Sequence, residues 1–194
     1  MKGLGSKEGS ALRLGDWLGR ALLKWAPKFM ERLGRILYEE EISRLRERAV
    51  TFLLECLRYE LIALNGDLTL ADLRTNLMLL RPNGTLQMTY ISGDYSLAEK
   101  QLEWREGIGC CGMAWARKEP TVTDAQDTER LPPTYREIVK HVKSVISVPV
   151  KRVTGDWVGV LNADSTKPLS QSRLDEAELR DVVIRYAVGI GLLF

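Results

Sequence analysis

Histidine and cysteine are scarce in this chain, and their scarcity removes several kinds of chemistry at once. There is one histidine, His141, and there are three cysteines, Cys56, Cys110 and Cys111, among 194 residues. No Cys-x-x-Cys pair or other metal-ligand spacing occurs, so a protein-built zinc site is not expected. Cys110 and Cys111 are sequence neighbours, with Cα atoms about 3.8 Å apart across a trans peptide, whereas a disulfide usually spans about 4.4–6.8 Å. Cys56 falls in a predicted helix with no evident partner. A disulfide framework is therefore not expected, and a reducing, cytoplasmic compartment follows. No run of eighteen uncharged apolar residues occurs, so no transmembrane helix is predicted. The first nine residues lack an apolar core and do not read as a secretory signal. Lys and Arg total 28 against 26 Asp and Glu, a net charge of +2, which gives no reason to expect a nucleic-acid partner. Ser-His-Asp and P-loop spacings are missing as well.

What is present is an ordinary soluble composition, 45% hydrophobic and 28% charged, long enough for one domain and an extension. Residues 1–9 are small and polar and are expected to be disordered. Residues 10–37 form an amphipathic helical extension: Leu14, Trp17, Leu18, Ala21, Leu22, Trp25, Phe29, Leu33, Ile36 and Leu37 recur at three- and four-residue steps. Between them lie mainly basic residues, a pattern that fits packing on the domain, on a second subunit or on a membrane surface. Pro27 predicts a break near Trp25 and Ala26. A second helix, 38–64, stops at Asn65-Gly66, with Ile42, Leu45, Ala49, Phe52, Leu53, Cys56, Leu57, Leu61 and Leu64 as its apolar set.

Beyond Gly66 the signals turn to strands. Leu73–Leu80 and Leu86–Ile91 flank Arg81-Pro82-Asn83-Gly84, a hairpin turn. Ser92–Glu106 reads as a polar, mobile stretch. Gly107-Ile-Gly-Cys-Cys-Gly-Met-Ala-Trp-Ala-Arg-Lys-Glu-Pro-Thr-Val-Thr-Asp124 then predicts a Gly-rich entry, a short helix, a corner and a strand. A helix over Thr134–Lys143 leads into Lys143–Thr166, two strands joined by Thr154-Gly155-Asp156. Ser172 is placed to cap a last helix, Arg173–Leu193. The order predicts an α+β domain on an antiparallel sheet.

The Gly107–Asp124 segment and the 143–166 hairpin together resemble the GAF domain, a small sensory module with a pocket on one face of an antiparallel sheet. The resemblance spans roughly residues 70–190 and implies a GAF-like domain over 38–194. It also implies a homodimer formed through helices 38–64 and 173–193. It implies a pocket between the sheet and the Cys111–Arg117 and Thr134–Lys143 helices, and an output protein supplied in trans.

Three branches of that family can be compared residue by residue. Free methionine-R-sulfoxide reductases carry a Gly-x-Gly-Val-Cys-Gly element similar to Gly107–Gly112, which places Cys111 on one of their cysteines. Their catalytic cysteine has no counterpart in Arg130–Lys143. Val145 stands for a ligand-contacting glutamate, Asn162 for an aspartate, and only Asp164 is retained. The cyclic-nucleotide pattern is interrupted by Ala163 where a lysine belongs, although Asn162 and Asp175-Glu176 match its ends. Covalent bilin attachment needs a cysteine beside His141, and there is none. No cofactor is specified.

The function expected is a non-catalytic regulatory module that binds a small molecule. The alternatives are a ligand-free adaptor or dimerisation protein and, more remotely, a reductase. Candidate ligand-contacting residues are Tyr90, Trp104, Cys111, Trp115, Asp124, Tyr135, Ser147 and Asp164. Tyr90, Tyr95, Trp104, Trp115 and Tyr135 are aromatic residues near the expected pocket, of which Trp104 lies in a polar loop. Ser147 lies on the 145–150 strand, and Asp124 is also read as a turn-forming residue.

Overall fold

The computed structural model describes the backbone of residues 8–124, 127 and 129–194, with side chains from residue 31 onward. The expected disordered tail therefore falls largely outside the described residues, as do the side chains of most of the amphipathic extension.

The first element is a single helix, α1, Glu8–Asn65. It runs without interruption through Pro27, so the break expected there does not occur. A proline leaves one i→i−4 bond unmade, and the turns on either side continue the helix. The chain divides into two units at Leu45/Arg46, and α1 crosses that boundary. In the second unit α1 buries Val50, Leu54, Leu57 and Leu61, an i, i+4, i+7, i+11 stripe. Ile42, Leu45, Phe52 and Leu64 of the expected apolar set are instead exposed.

The sheet follows. Strands β1, Leu73–Leu80, and β2, Leu86–Ser92, form the first hairpin, closed by Gly84 at φ 80°. The stretch expected to be a mobile loop contains a short helix, α2, Leu97–Gln101, and a two-residue strand, β3, Glu103–Trp104. A capping box makes the difference: Ser96 Oγ accepts from the Glu99 amide, and the Glu99 carboxylate accepts from the Ser96 amide. Helix α3, Gly109–Arg117, and strand β4, Thr121–Asp124, come next. Helix α4, Pro133–Val139, is shorter than expected.

Strands β5, Ser144–Lys151, and β6, Trp157–Ser165, make the long hairpin. Ser172 ends a short helix, α5, Leu169–Ser172, rather than capping the last one. Its hydroxyl lies 2.7 Å from that of Ser144. The last helix, α6, spans Ala177–Gly191, so it starts four residues later than the expected Arg173.

All pairings are antiparallel, in the order β3-β2-β1-β6-β5-β4. Side chains alternate across a strand, so the central strands separate two environments. Leu73, Leu77, Ile146, Val148, Leu161 and Ala163 join the buried cluster with α1 and α6. Met78 and Val160 join a second cluster with Trp104, Cys111, Ala114 and Trp115. Gly159 is obligatory between the two central strands, because a Cβ there would lie 2.0 Å from the Met78 carbonyl oxygen.

Candidate functional site

On the face opposite α1 and α6, the alternation of β1 and β6 turns polar groups toward a concave space. Arg74 and Asn76 come from β1, Asn162 and Asp164 from β6, and Ser147 from β5, and all are buried. The register sets Arg74 opposite Asp164 and Asn76 opposite Asn162. Directly opposed cross-strand positions bring the side chains together. Arg74 Nε donates to Asp164 Oδ1 at 2.7 Å. Its Nη2 lies 2.9 Å from Glu99 Oε1, and its Nη1 donates to the Asp94 carbonyl at 2.8 Å. The guanidinium also lies over the Tyr95 ring, 4.1 Å from its centroid.

From Asp164 the network continues inward. The Tyr95 hydroxyl donates to Asp164 Oδ2 at 2.9 Å and accepts from Asn76 Nδ2 at 3.0 Å. Asn162 Nδ2 donates to Asn76 Oδ1 at 2.9 Å, and the Ser147 hydroxyl donates to Asn162 Oδ1 at 2.6 Å. At the outer edge His141 Nε2 lies 3.1 Å from Glu99 Oε1. No buried side-chain nitrogen or oxygen among the described residues lacks a partner, as buried polar groups require.

These contacts set the proton affinities. Burial pushes Asp164 above the ordinary aspartate range, and the Arg74 ion pair opposes that shift. Burial would raise Glu99 too, but the Ser96 amide and Arg74 together hold it below its ordinary value. Tyr95 is raised well above the usual phenol range by burial and by the Asp164 carboxylate. Burial also raises the thiols. Cys110 is pushed up to about 11, and Cys111 is raised further by burial and its neighbour Cys110. Neither is a thiolate at neutral pH, so neither is an activated nucleophile.

The network forms one end of a cavity of about 260 Å³. Its other walls are mainly apolar, with Met78 and Met88 from the sheet, Leu102 and Trp104 beside β3, Ile108 and Met113 around α3, and Leu131, Val139 and Val142 around α4, while Thr123, Asp127 and Arg130 add polar groups. Gly109 allows Trp104 to close against α3, since a Cβ there would meet the indole at 2.4 Å. Small-molecule sites have this form, a concave apolar body with a few convergent polar groups.

Of the residues expected from sequence, Trp104, Cys111 and Asp164 line this cavity. Ser147 lies behind it, in contact with Asn162. Tyr135 supports the wall: its ring lies 5.0 Å from Trp104 and its hydroxyl donates to the Glu103 carbonyl at 2.8 Å. Trp115 packs in the cluster under α3, with Lys118 Nζ 3.1 Å from its ring centroid. Asp124 ends β4 in a reciprocal turn, its Oδ1 accepting from the Asp127 amide at 3.3 Å. Tyr90 lies on the opposite face, packed edge-on against Phe194. An irregularity in β2 sends it there: Met88 pairs with Met78, but Tyr90 pairs with Leu77. One residue is skipped, and every later side chain changes face. Tyr95, expected near the pocket but not among the ligand contacts, lines it, and Arg74, Asn76, Glu99, Thr123, Asp127, Arg130 and Asn162 are the polar wall residues missing from the expected contacts. Among the described residues no group of three metal-ligating side chains occurs, and no helix is long and apolar enough to cross a membrane.

No protein-family model matches the sequence, and no curated protein matches it either. Solved structures do match. One is the GAF domain region of a protein described as a membrane protein from Geobacter sulfurreducens PCA, with 18% identity and TM-score 0.60 over 80% of this chain and 97% of that one. Another is the type II free methionine-R-sulfoxide reductase of Thermoplasma acidophilum, with 22% identity and TM-score 0.52 over 76% and 94%. A third is a domain described as belonging to a two-component sensor histidine kinase protein of Sinorhizobium meliloti 1021, with 14% identity and TM-score 0.50 over 71% and 85%. The fold is GAF-like, an α+β antiparallel sheet with flanking helices. Within that fold class the neighbours include both sensor-type proteins and methionine sulfoxide reductases.

Proposed function

We propose that this protein is a non-catalytic regulatory module that binds a small molecule in the cavity and passes the signal to a partner through a helical dimer interface. The observation that carries the reading is the cavity itself, with an ordered polar end and a continuous apolar body. At about 260 Å³ it lies just under the usual range of about 300–1,000 Å³ for ligand pockets, which suits a small metabolite. The helical part rests on α1. In the second unit Ala49, Phe52, Cys56, Tyr59 and Ala63 alternate three- and four-residue steps, the spacing of a coiled-coil seam. Phe52 is 65% and Tyr59 52% exposed, as a seam awaiting a second copy would be. A membrane role for residues 10–37 remains a proposal of the sequence alone.

Against a reductase stand the raised, buried thiols of Cys110 and Cys111 and the lack of a cysteine in Arg130–Lys143. The positions compared with that family, Cys111, Val145, Asn162 and Asp164, do line the cavity, so the space is retained without the nucleophile. Thermal denaturation against a library of small metabolites tests the binding reading. A subset should raise Tm in wild type and fail to do so in Asn162→Leu. A library with no stabilising member would favour a ligand-free adaptor.

A further inference from the structure

We infer that the cavity selects a small amine, a cationic head on an apolar body, over a carboxylate or phosphate of the same size. The inference rests on the proposed function in that it takes the cavity as a binding site, and it goes beyond it by assigning the charge of the ligand.

The polar end holds one guanidinium and two carboxylates, Arg74 with Glu99 and Asp164, each at most 9% exposed in its side chain. Their sum is one excess negative charge. Arg74 is ion-paired with both carboxylates. Its Nε and Nη2 face the two carboxylates, its Nη1 faces the Asp94 carbonyl, and its plane rests on Tyr95. Arg74, Tyr95 and Asn76 all direct hydrogens at Asp164. A carboxylate has about four acceptor positions, and these three donors leave room for one more. At the mouth the other charged wall residues, Asp127 and Arg130, pair with each other at 3.3 Å and cancel. His141, 40% exposed, offsets the excess only where it is protonated.

An anionic ligand would therefore enter against an end whose one buried cation is already paired with two carboxylates, which is unfavourable. An ammonium meets the Asp164 acceptor instead. The rest of the wall suits such a ligand, because Trp104 and the thioethers of Met78, Met88 and Met113 form a polarizable surface of the kind that accepts cations beside apolar groups.

The test is calorimetric titration of the full chain with three probes of one shape, isoamylamine, isoamyl alcohol and isovalerate, at neutral pH and moderate salt. The amine should bind at least about tenfold tighter than the alcohol, a difference of about 1.4 kcal/mol, and isovalerate should bind weakest. Asp164→Asn should bring amine and alcohol to similar affinity, and since the ranking is read on wild type, a misfolded variant does not decide the matter. Isovalerate binding tightest, or equal binding of all three, would overturn the charge assignment while leaving a binding cavity. Binding by none of the three also overturns it, and the metabolite library, which assumes no charge, then decides separately whether the cavity is a site.

Discussion

The two faces of the central sheet are built from the same strands and nearly the same degree of burial, yet they follow opposite rules. Toward α1 and α6, Leu73, Leu77, Ile146, Val148 and Leu161 are buried among apolar neighbours. That face is stabilised by surface removed from water, at about 25 cal/mol per Å². Toward α3 and α4, Arg74, Asn76, Ser147, Asn162 and Asp164 are buried just as deeply. Their burial costs desolvation that the ion pairs and hydrogen bonds offset only in part. A chain selected for stability alone has no need of the second arrangement. The polar face is where the molecule accepts a cost, and the cavity lies on that face.

The contrast can be broken most severely at Arg74. Arg74→Met leaves Asp164 and Glu99 buried without their cation and should cost about 3–5 kcal/mol in urea unfolding. Adding Glu99→Met and Asp164→Leu should restore most of that loss, because apolar replacement of a whole buried ion cluster is often neutral or better. Failure of the triple variant to recover would mean that the polar face stabilises the fold by itself. On the other face, Leu161→Ala should cost about 2–5 kcal/mol, and no partner substitution among polar residues should rescue it.

A smaller effect distinguishes the faces by pH. Glu99 is depressed in the folded state, by the Ser96 amide and Arg74 against the opposing effect of burial. A depressed carboxylate adds stability above its unfolded pKa, and that contribution disappears as pH falls through the folded value. Glu99→Gln should therefore be less stable than wild type at pH 7, with the gap closing below the ordinary glutamate range. Asp164, raised by burial, acts with the opposite sign, so its own contribution favours folding at low pH. A gap between Glu99→Gln and wild type that stays constant from pH 7 to 3 would contradict the assignment. The smallest change is Ser96→Ala, which removes one half of the capping box and should cost about 1 kcal/mol while loosening Glu99.

The architecture was legible because its signals are local. Asn83-Gly84 and Thr154-Gly155-Asp156 mark the hairpins, and the Gly107–Gly112 run marks the entry to α3. The wall of the cavity was legible only in part. Arg74 and Asn76 sit inside the apolar run Leu73–Leu80, where their alternation matches one face of a strand, but nothing local says that this face is buried. Glu99 carried a readable signal, Ser96-x-x-Glu99, which specifies a cap in a stretch that otherwise reads as loop. Tyr90 could not be placed by alternation, because the irregular pairing between Leu77 and Met78 depends on two strands at once. The buried stripe of α1 is legible only in part for a related reason: Leu57 and Leu61 belong to the expected apolar set, whereas Val50 and Leu54 do not. Two apolar stripes share that helix, and the sequence does not tell which one the sheet covers.

Native mass spectrometry of the protein purified gently from its own host tests the central claim most directly. The predicted result is a discrete added mass below that of a nucleotide, retained by wild type and absent from Asn162→Leu. A protein that carries no added mass, and gains none from its host's small-molecule extract, would contradict the claim that the polar face exists to bind.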